Sequence, residues 1–229
     1  MMSGNSLSFS DFAKAVQYFQ TVEPNDTIYL PHLRRVQEGW LSPSLSLMGD
    51  ILDFLNKWQM RLKKNASLLE CMLEAIKETT PYLIAFQNVK LEECDFGAVI
   101  KVNSECPRID QATLYVFERF CAVGHKFADV AAAKTLHLLA PSFFVIWDNT
   151  THFSLTGNEG TAAWSYIRSY LPRVQRDLRT LINATSEQFA INEADAVEKL
   201  ITIAPNRKTL AKLMDEYYWA KYKRGIFQN

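Results

Sequence analysis

Apolar residues recur three and four positions apart along almost the whole chain, and only 8 glycines and 8 prolines interrupt them. That spacing lines one face of a helix, so helix is the dominant expectation. Phe12, Val16 and Phe19 mark a first helix that Ser8 or Ser10 can cap and that stops before Pro24. Ser42-Pro43 reads as a cap followed by proline at the first helical position. Behind it run two stripes, Leu45, Met48, Leu52, Leu55 and Leu47, Ile51, Phe54, Trp58, which predict a wide buried face. A third helix carries Leu68, Leu69, Met72, Leu73 and Ile76, with Pro81 as its limit or the start of the next segment.

From Val89 to Pro107 the period is lost around Gly97, which predicts a long loop or a small hairpin. Ile109, Ala112, Val116, Phe120 and Val123 then mark an amphipathic helix with Gly124 as its C-cap. Another helix spans about Phe127 to Leu139 and stops before Pro141. Past Asp148 lies a polar loop with Gly157 and Gly160, followed by a long helix through Trp164, Tyr170, Val174 and Leu181 that Pro172 should kink or split. Ala194 to Ile203 and Arg207 to Arg224 complete the chain around Pro205. The expected fold is all-α, with about ten helices in one helical unit over residues 1–229. Two lobes with a cleft between them are expected: 1–90 packing with 160–229, and 105–158 as the lobe that bears the motif.

Composition narrows the classes. At 229 residues and 48% hydrophobic the chain can bury a sizeable core. Lys+Arg 25 balances Asp+Glu 25, so no overall field draws it to nucleic acid or membrane, although a local basic patch would suffice for phosphates. Cys71, Cys94, Cys106 and Cys121 lack zinc-ligand spacing and read as free thiols in a reducing compartment. The N-terminus does not read as a signal peptide, and no apolar run reaches the roughly 20 residues of a membrane span. A cytoplasmic location, no metal and no cofactor are the expectations, since phosphate loops, serine elbows and zincin motifs are all missing.

One stretch stands out chemically. Thr135 to Trp147 carries no formal charge; Lys134 is the last charge before it and Asp148 the first after it. An acid so placed must be paired, capping or catalytic, because an ionised carboxylate without partners is costly to bury. Lys134 and His137 are three positions apart and share a helical face. With Asp148 they can form a catalytic cluster: Lys134 as amine nucleophile, Asp148 as electrostatic stabiliser and His137 as proton shuttle. The same residues can equally make a structural ion pair, a helix cap and a satisfied core histidine. His152, four beyond Asp148, shares its face if that piece is helical, but no further ligands complete a metal site.

The apolar helix ending in Leu138-Leu139, followed by Phe144-Val145-Ile146-Trp147-Asp148-Asn149, resembles the segment of helix-hairpin-helix DNA glycosylases that leads to the catalytic aspartate. The likeness covers roughly Gly124 to Leu155. It implies an acid at a helix start, Asp148, facing a cleft between two lobes, and a nucleic acid or nucleobase as partner. Trp147, His152 and Lys126 would then border the bound base. Lys126-Phe127-Ala128 stands where the family has a Gly-x-Gly turn, and Asp129 falls near its catalytic lysine. Two other readings stay open. One is a non-catalytic helical interaction module. The other is a ribonuclease of the HEPN type, to which Arg119 and His125 are similar in spacing alone. The aromatic C-terminal helix, with Tyr217, Tyr218, Trp219 and Tyr222, reads as packing.

Overall fold

The computed structural model describes residues 7–124, 129–148, 154–155 and 162–227. Among them nine continuous helices form an all-α fold. They are α1 (Phe9–Val22), α2 (Asp26–Gly39), α3 (Leu45–Lys57), α4 (Ala66–Phe86), α5 (Ile109–Cys121) and α6 (Asp129–Leu139). A long α7 follows, made of Ala162–Ser165, a π-helical turn Tyr166–Tyr170 and Leu171–Phe189; then come α8 (Glu193–Ile201) and α9 (Leu210–Tyr218 with a π-helical end, Trp219–Lys223). The buried apolar side chains form one contiguous cluster that draws on every helix. α1 packs against α9, joining the two ends of the chain. No helix among the described residues is long and apolar enough to cross a membrane.

Local chemistry sets the boundaries. Ser8 caps α1 by accepting from the Asp11 amide. At α3 the cap is Ser44, which accepts from the Leu47 amide, so Pro43 precedes the helix instead of opening it. α2, a helix not expected from the sequence, carries Pro31 inside it and buries Tyr29 and Val36. Pro81 likewise does not end α4: burial of Leu83 and Phe86 carries the helix past it. Just before that proline, Thr79 donates to the Ala75 carbonyl at 2.6 Å and Thr80 to the Ile76 carbonyl at 2.7 Å, side-chain bonds to the preceding turn of the kind that bend a helix. α5 is capped at Ala122, two residues before Gly124. The irregular segment holds a small antiparallel ladder, pairing Val99 with Arg108 and Val102 with Glu105. Pro172 is absorbed without a break, because the π turn before it lets the Leu171 amide reach back to Tyr166.

After α6 the chain turns at Pro141 and runs extended beneath α7. The last carbonyls of α6 are taken by two glutamines: Gln37 donates to Leu138 and Leu139 at 2.5 and 3.1 Å, and Gln87 to Leu139 at 2.5 Å. Thr209, the N-cap of α9, donates to the Pro141 carbonyl at 2.8 Å. The Tyr166 hydroxyl both accepts from the Val145 amide at 3.0 Å and donates to its carbonyl at 2.7 Å, while Tyr170 donates to Ile146 at 2.8 Å. These bonds satisfy an extended buried backbone that has no strand neighbour. They also fix where the segment delivers Asp148.

Candidate functional site

Lys134, on buried α6, and Asp148, at the end of the pinned segment, line one small cavity of about 90 Å³. Trp58, Asp215, Trp219 and Lys223 complete much of its wall. The Lys134 side chain is almost wholly buried, with Nζ 5.5 Å from the centroid of the Trp58 ring and 4.0 Å from Met60 Sδ. Burial lowers its pKa from 10.5 to about 8, partly opposed by the carboxylates of Asp215 and Asp148. The Asp148 side chain keeps a quarter of its surface exposed, and Lys223 Nζ stands 4.0 Å from Oδ2. The acid therefore faces both the cavity and a cation.

Below the cavity lies a set of charges that sequence reading left among ordinary helix residues. Lys212 Nζ is 2.8 Å from Asp215 and 3.2 Å from Glu216, and Lys208 Nζ is 2.7 Å from Glu216 and 2.6 Å from Asp26. The Lys212 and Glu216 side chains are sealed from solvent. Lys212 also lies over three aromatic rings, 4.6 Å from Phe19, 5.3 Å from Tyr29 and 5.5 Å from Trp58. Burial acts to lower the Lys212 pKa, but the adjacent Asp215 and Glu216 outweigh it and the net shift is upward. Burial raises the Asp215 pKa against the pull of Lys212. One signal for this cluster is present in the sequence. Leu210, Leu213, Met214, Tyr217 and Tyr218 form the apolar stripe of α9, and Trp219 stands on the opposite face among Lys212, Asp215 and Glu216, a large ring where a solvated face would carry none.

His137 does not join Lys134 and Asp148. Its ring is fully buried, with Nδ1 2.6 Å from the Phe144 carbonyl and Nε2 2.7 Å from the Tyr29 hydroxyl. A carbonyl only accepts, so Nδ1 carries the proton and Nε2 accepts from Tyr29. Burial drives the pKa down to about 3, which leaves a neutral ring holding two elements together and no proton to shuttle. Trp147 is also in the core, against Phe117, Tyr166 and Tyr170, and does not border the cavity. Lys126, His152 and His125 lie outside the described residues. Arg119 pairs with Glu78, a neighbour on α4.

The basic groups on helix faces are mostly spent locally. Arg35 pairs with Asp50 at 2.9 Å, Lys64 with Asp53 at 3.2 Å and Arg173 with Asp177 at 3.1 Å. The aromatic C-terminal helix packs inward: Tyr217, Tyr218 and Trp219 are buried, and Tyr218 donates to Asp177 at 2.8 Å. All four cysteines are free thiols. Comparison of this chain with protein-family models, with curated proteins and with solved structures found no match.

Proposed function

We propose that the cavity is an amine-centred site of the glycosylase or lyase type, acting on the sugar carbon of a nucleoside or of a nucleic-acid strand. One observation supports this reading above others: a buried lysine with a pKa of about 8 lines the same small cavity as an acid. Attack requires the unprotonated amine, and a lysine shifted this far supplies it near neutral pH.

In the proposed step the Lys134 Nζ lone pair bonds to C1′ while the glycosidic C–N bond breaks and its electrons leave with the base. The proton lost from Nζ passes through solvent to the departing base. Ring opening then isomerises the linkage to an imine. Asp148 offsets the positive charge that develops on the sugar. At about 90 Å³ the cavity is well below the roughly 300 Å³ at which sites begin to enclose a whole drug-sized ligand, so it suits the reacting carbon and leaves the rest of the substrate outside.

Borohydride reduction in the presence of oligonucleotides bearing damaged or missing bases tests this. A covalent adduct is expected with the native chain, none with Lys134→Met, and far less with Asp148→Asn at an unchanged melting temperature. Absence of adduct, of released base and of oligonucleotide affinity at low salt would overturn the reading. A second reading, a non-catalytic helical interaction module, draws on Lys223 beside Asp148. Under it Asp148→Asn lowers stability by up to about 1 kcal/mol and changes no chemistry.

A further inference from the structure

A second cavity, of about 770 Å³, lies where the 90–93 segment meets α7 and α8, and it shares no lining residue with the Lys134 pocket. Its size falls within the roughly 300–1,000 Å³ of small-molecule sites. An adjoining hollow of about 370 Å³ shares Lys90, Glu92 and Val197 with it, so the two form one groove along α8.

Glu92 lines both parts of the groove and is only 9% exposed. Its Oε2 is buried and makes no hydrogen bond. The two cations beside it are engaged elsewhere. Lys90 Nζ pairs with Glu93 at 2.7 Å. Arg179 donates from Nε to the Glu92 carbonyl at 2.9 Å and from Nη2 to the Cys94 carbonyl at 3.1 Å. Gln175 adds bonds to the Leu91 and Cys94 carbonyls at 2.7 and 2.6 Å. Side chains of α7 thus hold the backbone of this turn and leave Oε2 of Glu92 without a donor, while the backbone amide of Glu92 itself is the one hydrogen-bond donor acting on the carboxyl group. Such an oxygen forfeits free energy that an incoming N–H can recover.

We propose that this groove binds a small organic cation, its ammonium group donating to the Glu92 carboxylate and its alkyl chain resting on Ile182 and Val197. In the larger cavity Glu92, Glu93 and Glu193 face Lys90 and Arg179, and the adjoining hollow adds Glu198 beside Arg207 and Lys208, so the groove as a whole is balanced and the preference for a positive guest is set locally at Glu92. The apolar side chains beside them suit a hydrocarbon chain rather than a bare metal ion.

Calorimetric titration with n-pentylamine, and with 1-pentanol as the uncharged isostere, tests the assignment. Saturable binding of the amine is expected, with the alcohol at least about tenfold weaker. Glu92→Gln should lose about tenfold or more in amine affinity while melting close to the native chain, because Oε2 has no donor to lose and the amide oxygen can still accept from the backbone. Val197→Trp, which fills the groove without touching the carboxyl, should lose binding as well. Lys134→Met should bind the amine as the native chain does. Equal affinity of Glu92→Gln, equal affinity for the alcohol, or no saturable binding at any concentration that leaves the chain folded would overturn the proposal.

Discussion

The Lys134 ammonium lies 5.5 Å from the centroid of the Trp58 ring, in a position where the indole face favours the charged form and the surrounding burial favours the neutral one. Burial wins, since the pKa falls to about 8. The side chain is therefore held at a cost to the fold, as reactive amines generally are.

That cost is measurable. A shift from 10.5 to about 8 corresponds to about 3 kcal/mol. The unfolded lysine holds its proton up to about pH 10.5 and the folded one only to about 8, so the penalty is complete below pH 8 and fades as pH rises toward 10.5. Lys134→Met should be more stable than the native chain by about 1–3 kcal/mol at pH 7, allowing for the lost ring contact. Urea titrations of both proteins at pH 7 and pH 10.5 should show the advantage shrinking at the higher pH. A variant less stable at pH 7 would mark Lys134 as a structural residue.

His137 sets the acid limit. Its folded pKa of about 3 lies far below the ordinary 6.5, so the neutral ring contributes stability that is complete above pH 6.5 and is lost as pH falls toward 3. The loss amounts to up to about 5 kcal/mol over that window. His137→Gln removes the titration and should flatten the acid limb of the stability curve, while costing about 1–3 kcal/mol at neutral pH for a disrupted bond to Tyr29 or Phe144. Circular dichroism from pH 7 to 3 would show it; an unchanged acid midpoint would contradict the assignment.

The buried charge set should behave as one unit. Lys212→Met leaves Asp215 and Glu216 without their shared cation and should cost about 3–5 kcal/mol. Lys212→Met combined with Glu216→Gln should cost clearly less than the sum of the two single changes, because each single change unbalances the buried set by one charge and the double change restores the balance, Lys208 and Asp215 remaining in place. Strict additivity in chemical denaturation would show the pair to be uncoupled.

Thiol reactivity should follow burial. Cys106 is exposed, whereas burial pushes the thiols of Cys94 and Cys121 up to about 12. An aromatic disulfide reagent at pH 8 should label Cys106 rapidly and reach Cys94 and Cys121 only when the chain unfolds. Fast modification of Cys94 in the native state would contradict the packing of the 91–94 turn.

The helical class was legible because period 3.6 is a repeated signal, and so was the loop around Gly97, where the period fails. Pro81 misled because a proline rule is local, whereas Leu83 and Phe86 are buried by tertiary packing that overrides it. Lys134 and Asp148 could be found from the sequence as the two charges bracketing an uncharged run, and both reach one cavity. His137 was drawn into that pair by helical spacing alone, which cannot tell that its nitrogens are already engaged by Tyr29 and Phe144. Lys212 and Glu216 were missed because an ion pair on a helix usually means solvent, and only the aromatic neighbours on every side argue otherwise.

The π turn at Tyr166–Tyr170 has a consequence for how this chain tolerates change in length. Each residue added to or removed from a helix rotates everything beyond it by about 100°. The π turn already winds one residue more than an α turn, so losing Ile167, Arg168 or Ser169 can be taken up by closing it, whereas one residue lost between Leu171 and Val174 would turn Gln175 and Arg179 away from the carbonyls they hold. The register of this helix is therefore most forgiving of a missing codon within the π turn and least so just beyond it.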